Sequence, residues 1–172
     1  MIDIICGDIT NLEIEAIVCP AHKHLVRGTG VSAAVFDRAG PVLALACSEL
    51  GKCAIGEARI TQGFGLPAKY ILHTVTPMWS GGDLWGDSPL QQLTSCYQQV
   101  LALAANHNIQ ELAFPALGAG SNKMPHTMAA HLALKELDRR ADHFRRLVVC
   151  LFDQSTFRLW RRAWEELQAT KR

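Results

Sequence analysis

"FPALGAGSNKMPHTMAA", residues 114–130, starts as the end of an apolar strand and finishes as a helix, with two glycines at the joint. A strand that runs through a glycine turn into a helix N-terminus converges free backbone N–H groups on one point, where the helix dipole adds partial positive charge. Such a point suits an anion, most often a phosphate. Gly118 and Gly120 allow a ligand close to the backbone or a positive φ, and Pro125 is a natural first residue of a helix. The same residues also make an ordinary tight βα connection, so this stretch alone sets the local topology and leaves its use open.

The rest of the chain repeats the pattern. Ile2–Cys6, Ala16–Cys19, Ala58–Thr61, Tyr70–Val75, Glu111–Phe114 and Leu147–Phe152 are short apolar runs that predict strands, several too uniformly apolar to have a wet face. Longer periodic stretches lie between them. Leu43, Cys47 and Leu50 share one helical face, Leu93, Tyr97, Val100, Leu101 and Ala104 a second, and Phe157, Trp160, Trp164 and Leu167 a third. Strands buried on both sides and amphipathic helices to cover them predict a three-layer α/β/α sandwich around a mixed, mostly parallel sheet. In such sheets ligands gather where strands end and loops run into helices.

A second joint of this kind lies upstream, in "VCPAHKHLVRGTGVSAAVFDRAGP", residues 18–41, where strand residues give way to Arg27-Gly28-Thr29-Gly30-Val31 and a helix is expected from Ser32, itself a possible cap. Two anion-cradling joints in one small domain imply two phosphates, or one diphosphate held from both sides.

Bulk properties limit the partners. At 172 residues the chain suffices for one domain, residues 1–172, with a full core, and 49% hydrophobic with 19% charged residues is ordinary globular composition. Seventeen basic against sixteen acidic residues leave a net charge of +1, so no whole-chain field draws the protein to nucleic acid or a membrane. Any anion must be bound locally. The start MIDIICGDIT lacks the basic, long apolar opening of a secretory signal, and a cytoplasmic location is expected. Cys6, Cys19, Cys47, Cys53, Cys96 and Cys150 are scattered through apolar segments without a C-x-x-C pair, which predicts core thiols, and no metal-ligand spacing is visible. The sequence implies no cofactor and no metal. Arg139, Arg140, Arg145 and Arg146 form a modest basic patch diluted by Glu136, Asp138 and Asp142.

Four blocks carry a resemblance to a known family: "GDIT" at 7–10, "GEARITQGFGLPAKYILHTVTPMW" at 56–79, "ELAFPALGAG" at 111–120 and "VVCLFD" at 148–153. In order and spacing the chain resembles the macrodomains, which bind ADP-ribose and in some branches hydrolyse its derivatives. The resemblance implies that the Asp8 carboxylate accepts from the adenine 6-amino group beside the Ile9 N–H, a pairing that favours adenine over guanine. Without it, Asp8 reads as a turn or helix-cap residue. It also implies that Gly28, Thr29, Gly30 and Val31 are one phosphate loop, that Gly118, Ala119, Gly120, Ser121 and Asn122 are the other, and that Phe152 stacks on adenine, where the bare sequence would equally allow a core Phe.

Departures from the family fall at the other end of the ligand. Hydrolytic members read Asn-Ala-Ala-Asn and later an Asp. This chain has "CPAH" at 19–22, placing His22 at the second Asn, and Ser32 at the Asp that helps activate water. A serine at an ordinary pKa is no general base. The aromatic of the second loop is gone, with Ser121, Asn122 and Lys123 following Gly120. Lys123 and Arg27 could sit at the rim of the diphosphate, and the sequence favours their extending into solvent instead.

The sequence thus supports a module that binds ADP-ribose or an ADP-ribosylated macromolecule with weak or no hydrolysis. The alternative is a hydrolase of ADP-ribosyl conjugates or an O-acetyl-ADP-ribose deacetylase that uses a non-standard group, with His22 the first candidate, a histidine titrating near neutral pH. A third is a fold retained for another nucleotide or RNA. His73, inside an apolar strand, is expected to be a hydrogen-bonded structural histidine, and Glu57 a structural acceptor. The Gly-rich stretch from Trp79 past Trp85 is of a kind that can vary among relatives, and no role is read from it.

Overall fold

Alternation at period two builds the centre of the molecule. In the strand β2 (Ala16–Pro20), Ala16 and Val18 enter one core while Ile17 and Cys19 enter the other. In β6 (Arg146–Leu151), Leu147, Val149 and Leu151 alternate in the same way with Val148 and Cys150. Successive side chains of a strand point to opposite faces, so a run apolar at every position needs cover on both.

The computed structural model describes residues 1–79 and 88–172, and Trp85 with most of its loop lies outside these described residues. The remaining strands are β1 (Ile2–Cys6), β3 (Ala58–Gln62), β4 (Tyr70–Thr74) and β5 (Glu111–Phe114). They form a six-stranded sheet in the order β1-β6-β5-β2-β4-β3. All neighbours run parallel except β3, which pairs antiparallel with β4. The helices are α1 (Val31–Ala39), α2 (Pro41–Leu50), α3 (Pro89–Asn106), α4 (His126–Arg140) and α5 (Gln154–Ala169). One face of the sheet is covered by α1 and α2, whose Val35, Phe36, Leu43 and Cys47 meet Ile17, Ile71 and Val148. The other is covered by α3, α4 and α5, which bring Leu93, Tyr97, Leu134 and Trp160 against Val18, Leu72 and Val149. The sandwich read from the sequence is the one observed.

This wiring opens a crevice. The chain leaves β2 toward α1 on one face and leaves the adjacent β5 toward α4 on the other, so the two connections diverge over the carboxyl ends of neighbouring strands. Such a switch point is where open α/β sheets bind ligands.

Local readings shift in four places. Gly30, not Ser32, is the N-cap of α1, with φ 56° and ψ −124°, and Ser32 lies inside the first turn. Pro125 stands one residue before the first helical residue of α4, in an extended conformation. Leu50 closes α2 as an exposed side chain because the helix ends at Gly51 before that turn can pack. The last strand ends at Leu151, leaving Phe152 outside the sheet and 83% exposed. Cys19, Cys47, Cys53, Cys96 and Cys150 are buried free thiols, and Cys6 is half-buried.

Candidate functional site

The crevice is a cleft of about 470 Å³. One end lies at β1 and β6, lined by Asp8, Ile9, Phe152 and Asp153, and the other lies at β2 and β4, lined by Pro20 and Thr76. The two glycine loops meet between them.

The first loop is held from below by Leu25, which is buried although its φ is 56°, and by the bond from Gly28 N–H to Ser32 Oγ at 3.0 Å. Gly30 then takes a backbone conformation open only to glycine and starts α1. Thr29, Gly30 and Val31 line the cleft, and among the described residues their N–H groups donate to no protein acceptor. In the second loop Gly118 has φ 81°, and its carbonyl accepts from Met124 N–H at 2.9 Å. Asn122 braces this loop against the end of β4, donating from Nδ2 to the Thr76 carbonyl at 3.0 Å and to Thr76 Oγ1 at 2.8 Å. The N–H groups of Gly118, Gly120, Ser121 and Asn122 are likewise undonated among the described residues, and all four residues line the cleft with Ala119. Two sets of free amides therefore flank one cavity, an arrangement that binds an anion through the backbone.

Side-chain charge does not provide the attraction. No lysine or arginine lines the cleft among the described residues, whose charged side chains there are the carboxylates Asp8 and Asp153, with His126 beside them. Arg27 forms a two-pronged bond with Asp37, at 2.8 and 2.9 Å, on the exposed face of α1, and Lys123 is exposed outside the lining.

Asp8 acts as a cap, and only one of its oxygens is engaged in doing so. Its Oδ1 accepts from Thr10 N–H at 2.9 Å and from Thr10 Oγ1 at 2.6 Å, capping a short 3₁₀ turn over Ile9–Asn11. The cap fixes the carboxyl group while Oδ2 takes no hydrogen bond among the described residues. Phe152 presents an exposed ring at the same end, so the reading of a core Phe gives way to that of a free aromatic face.

At the opposite end the residues that depart from the family do not assemble a base. Ser32 is 4% exposed, and its hydroxyl oxygen is occupied by the Gly28 N–H. His22 is exposed and outside the cleft lining; its Nδ1 accepts from His24 N–H at 3.1 Å and its ring lies 5.4 Å from that of His24. The loop turns at Leu25, whose N–H donates to the His22 carbonyl, and this carries the imidazole away on the surface. Burial pushes the Cys150 thiol up to about 11, so this cleft residue is no nucleophile at neutral pH.

Sequence reasoning missed Thr76, His126, Asp153 and Thr156, which all line the cleft. Asp153 had a local signal: an Asp three residues before Thr156 at the start of a periodic stretch is a helix-cap pattern. Asp153 caps α5, accepting from Ser155 Oγ at 2.7 Å, Thr156 N–H at 2.8 Å and Thr156 Oγ1 at 3.0 Å. The Ser155 hydroxyl first, then Thr156, hold its carboxyl down at about 2. The structural expectations elsewhere stand. His73 is buried with Nε2 2.9 Å from Thr61 Oγ1, and Glu57 accepts from Arg59 at 2.8 Å. Three of the four arginines of the basic patch are spent on carboxylates, with Arg139 on Glu136, Arg145 on Glu111 and Arg146 on Asp3.

Comparison with known proteins agrees with the geometry. The Macro domain family matches residues 18–133. A Macro domain-containing protein of Lactiplantibacillus plantarum is 43% identical over 159 residues, 90% of this chain and 91% of the relative. The ADP-ribose glycohydrolase MACROD2 of Xenopus laevis is 40% identical over 93% of this chain, which spans 39% of that protein. Among solved structures, a mutant of the Oceanobacillus iheyensis macrodomain with ADPR has a TM-score of 0.90 at 30% identity, covering 96% of this chain and 92% of that one. The Trypanosoma brucei macrodomain in complex with ADP-ribose has a TM-score of 0.84 at 29% identity, covering 94% and 68%.

Proposed function

The chain belongs to the macro domain family, and on that premise we propose that it binds ADP-ribose, free or attached to a macromolecule, and recognises it with little or no hydrolysis. The observation that carries this reading is the pair of loops whose amides, undonated among the described residues, flank the cleft between an aromatic-and-carboxylate end and an end where the described residues supply no base. Adenine lies against Phe152, with its amino group on Asp8. The diphosphate lies between Thr29–Val31 and Gly118–Asn122. Each charge-assisted amide bond contributes about 1.5–3 kcal/mol before ordering costs, and several of them with one stacked base suffice for micromolar binding, about −8 kcal/mol.

Weak turnover follows from the distal end. Hydrolysis there needs a group that takes a proton from water, and the Ser32 hydroxyl does not serve at neutral pH. The alternative reading, a hydrolase of ADP-ribosyl conjugates, is favoured by the 40% identity to a protein named as a glycohydrolase. One pair of measurements separates the two. Calorimetric titration with ADP-ribose should give saturable micromolar binding, and incubation of the protein with a mono-ADP-ribosylated peptide should leave the modification in place. Release of ADP-ribose at many turnovers per protein would establish the hydrolase; absence of heat and of thermal shift at millimolar ADP-ribose would remove both.

A further inference from the structure

Beside Phe152, part of the wall of the cleft is made by the starts of α4 and α5, which follow the adjacent strands β5 and β6. His126, Asp153 and Thr156 line it there. In the reading proposed above, with the base at Phe152 and the diphosphate at the glycine loops, the adenosine ribose lies beside this wall. The groups that meet it are of fixed polarity. Trp160, fully buried, donates from Nε1 to His126 Nδ1 at 3.3 Å. An indole is a donor only, so the accepting Nδ1 carries no proton and the ring's N–H is at Nε2. Asp153 has one oxygen doubly occupied by Ser155 and Thr156 and the other holding a single bond from the Thr156 hydroxyl, which leaves acceptor capacity on Oδ2.

We propose that Asp153 and His126 read the adenosine ribose, Asp153 accepting from its hydroxyls and His126 donating from Nε2, and that Asp153 thereby selects an unmodified ribose against one carrying a 2′-phosphate. A diol has protons to give a carboxylate, and a phosphate dianion has none. With no lysine or arginine lining the cleft among the described residues, nothing offsets the repulsion between such a phosphate and Asp153. The inference deepens the reading of the cleft as an ADP-ribose site and rests on it.

The test is calorimetric titration of the protein with ADP-ribose and with ADP-ribose phosphorylated on the adenosine 2′-hydroxyl. The natural protein should prefer the unphosphorylated ligand by at least roughly tenfold. Asp153→Asn keeps a good helix cap and removes the charge. It should narrow the preference to within about threefold, chiefly by tightening binding of the phosphorylated ligand. Asp153→Ser, a second capping residue, should do the same if the Asn variant folds poorly. An equal preference in variant and natural protein, or no preference in the natural protein, overturns the inference while ADP-ribose binding itself stands. Failure of both ligands to bind the natural protein overturns the site reading and this inference together.

Discussion

The two ends of the parallel strands treat their polar groups in opposite ways. At the amino end, Arg146 meets Asp3 at 2.8 Å, and Arg145 meets Glu111 and, at 3.6 Å, Glu15, so charges from before or within four strands are spent on each other. Among the described residues, the backbone amides of two loops at the carboxyl end donate to nothing, and no lysine or arginine lines the cavity they flank. Groups already paired stabilise the fold modestly and cannot greet a ligand. Groups left free at a concave surface cost nothing while water reaches them, and they become binding energy when an anion replaces that water. The functional end is thus distinguished by what the fold leaves unsatisfied and open, rather than by net charge.

A free polar group that is buried rather than open should cost stability and add nothing to binding, and His73 tests that half of the contrast with the largest expected effect. Its Nδ1 is buried with no partner among the described residues, and burial lowers its pKa from 6.5 to about 4. Between those values the unfolded chain binds a proton that the folded one does not, so stability falls as pH drops from about 6.5 and levels off below about 4. The full drop is about 3 kcal/mol. Urea denaturation at pH 7 and pH 4 should show this difference in the natural protein and lose most of it in His73→Gln, with ADP-ribose affinity at pH 7 unchanged in both. A variant with the same acid sensitivity as the natural protein would show that the buried imidazole is not its source.

The open amides are tested next, at Gly30. A Cβ there meets nothing within 4 Å, so Gly30→Ala adds no clash and acts only through the left-handed backbone angle. Such strain costs about 1–3 kcal/mol. If the loop relaxes to avoid it, the amides of Thr29–Val31 turn from the cleft, and ADP-ribose affinity should fall roughly thirtyfold, the equivalent of about 2 kcal/mol. Unchanged affinity by calorimetry would mean that this loop does not hold the diphosphate.

The fold was legible because the central strands β2 and β6 are apolar at consecutive positions and the helices α3 and α5 have clean stripes, signals that lie within a few residues of chain. Phe152 shows where that logic stops: an aromatic after "VCL" extends the apolar run, and only the end of pairing at Leu151 puts it in solvent. The two glycine joints were legible in the sequence, since Gly30 and Gly118 do adopt positive φ. His22 was placed near the site by the resemblance, at the position of the family's second Asn, but the turn at Leu25 decides its direction and leaves no periodic trace. His126 and Asp153 reach one wall from segments 27 residues apart, brought together by strand order. No local pattern encodes that meeting.

The smallest effect belongs to the paired end. Arg146 and Asp3 are 42% and 32% exposed, a geometry in which ion pairs contribute about 0–1 kcal/mol and salt screens most of it. Arg146→Ala should therefore lower stability by less than about 1 kcal/mol, with the difference shrinking at high salt, and should leave ADP-ribose affinity where it was. The second half of that outcome is the sharper one. Asp3 lies on β1 and Arg146 begins β6, the same two strands whose far ends carry Asp8 and Phe152. If removing the pair weakened the nucleotide's grip, the register of β1 on β6 would be transmitting the change along the sheet. The amino end would then be part of the site's construction and not merely its closed opposite.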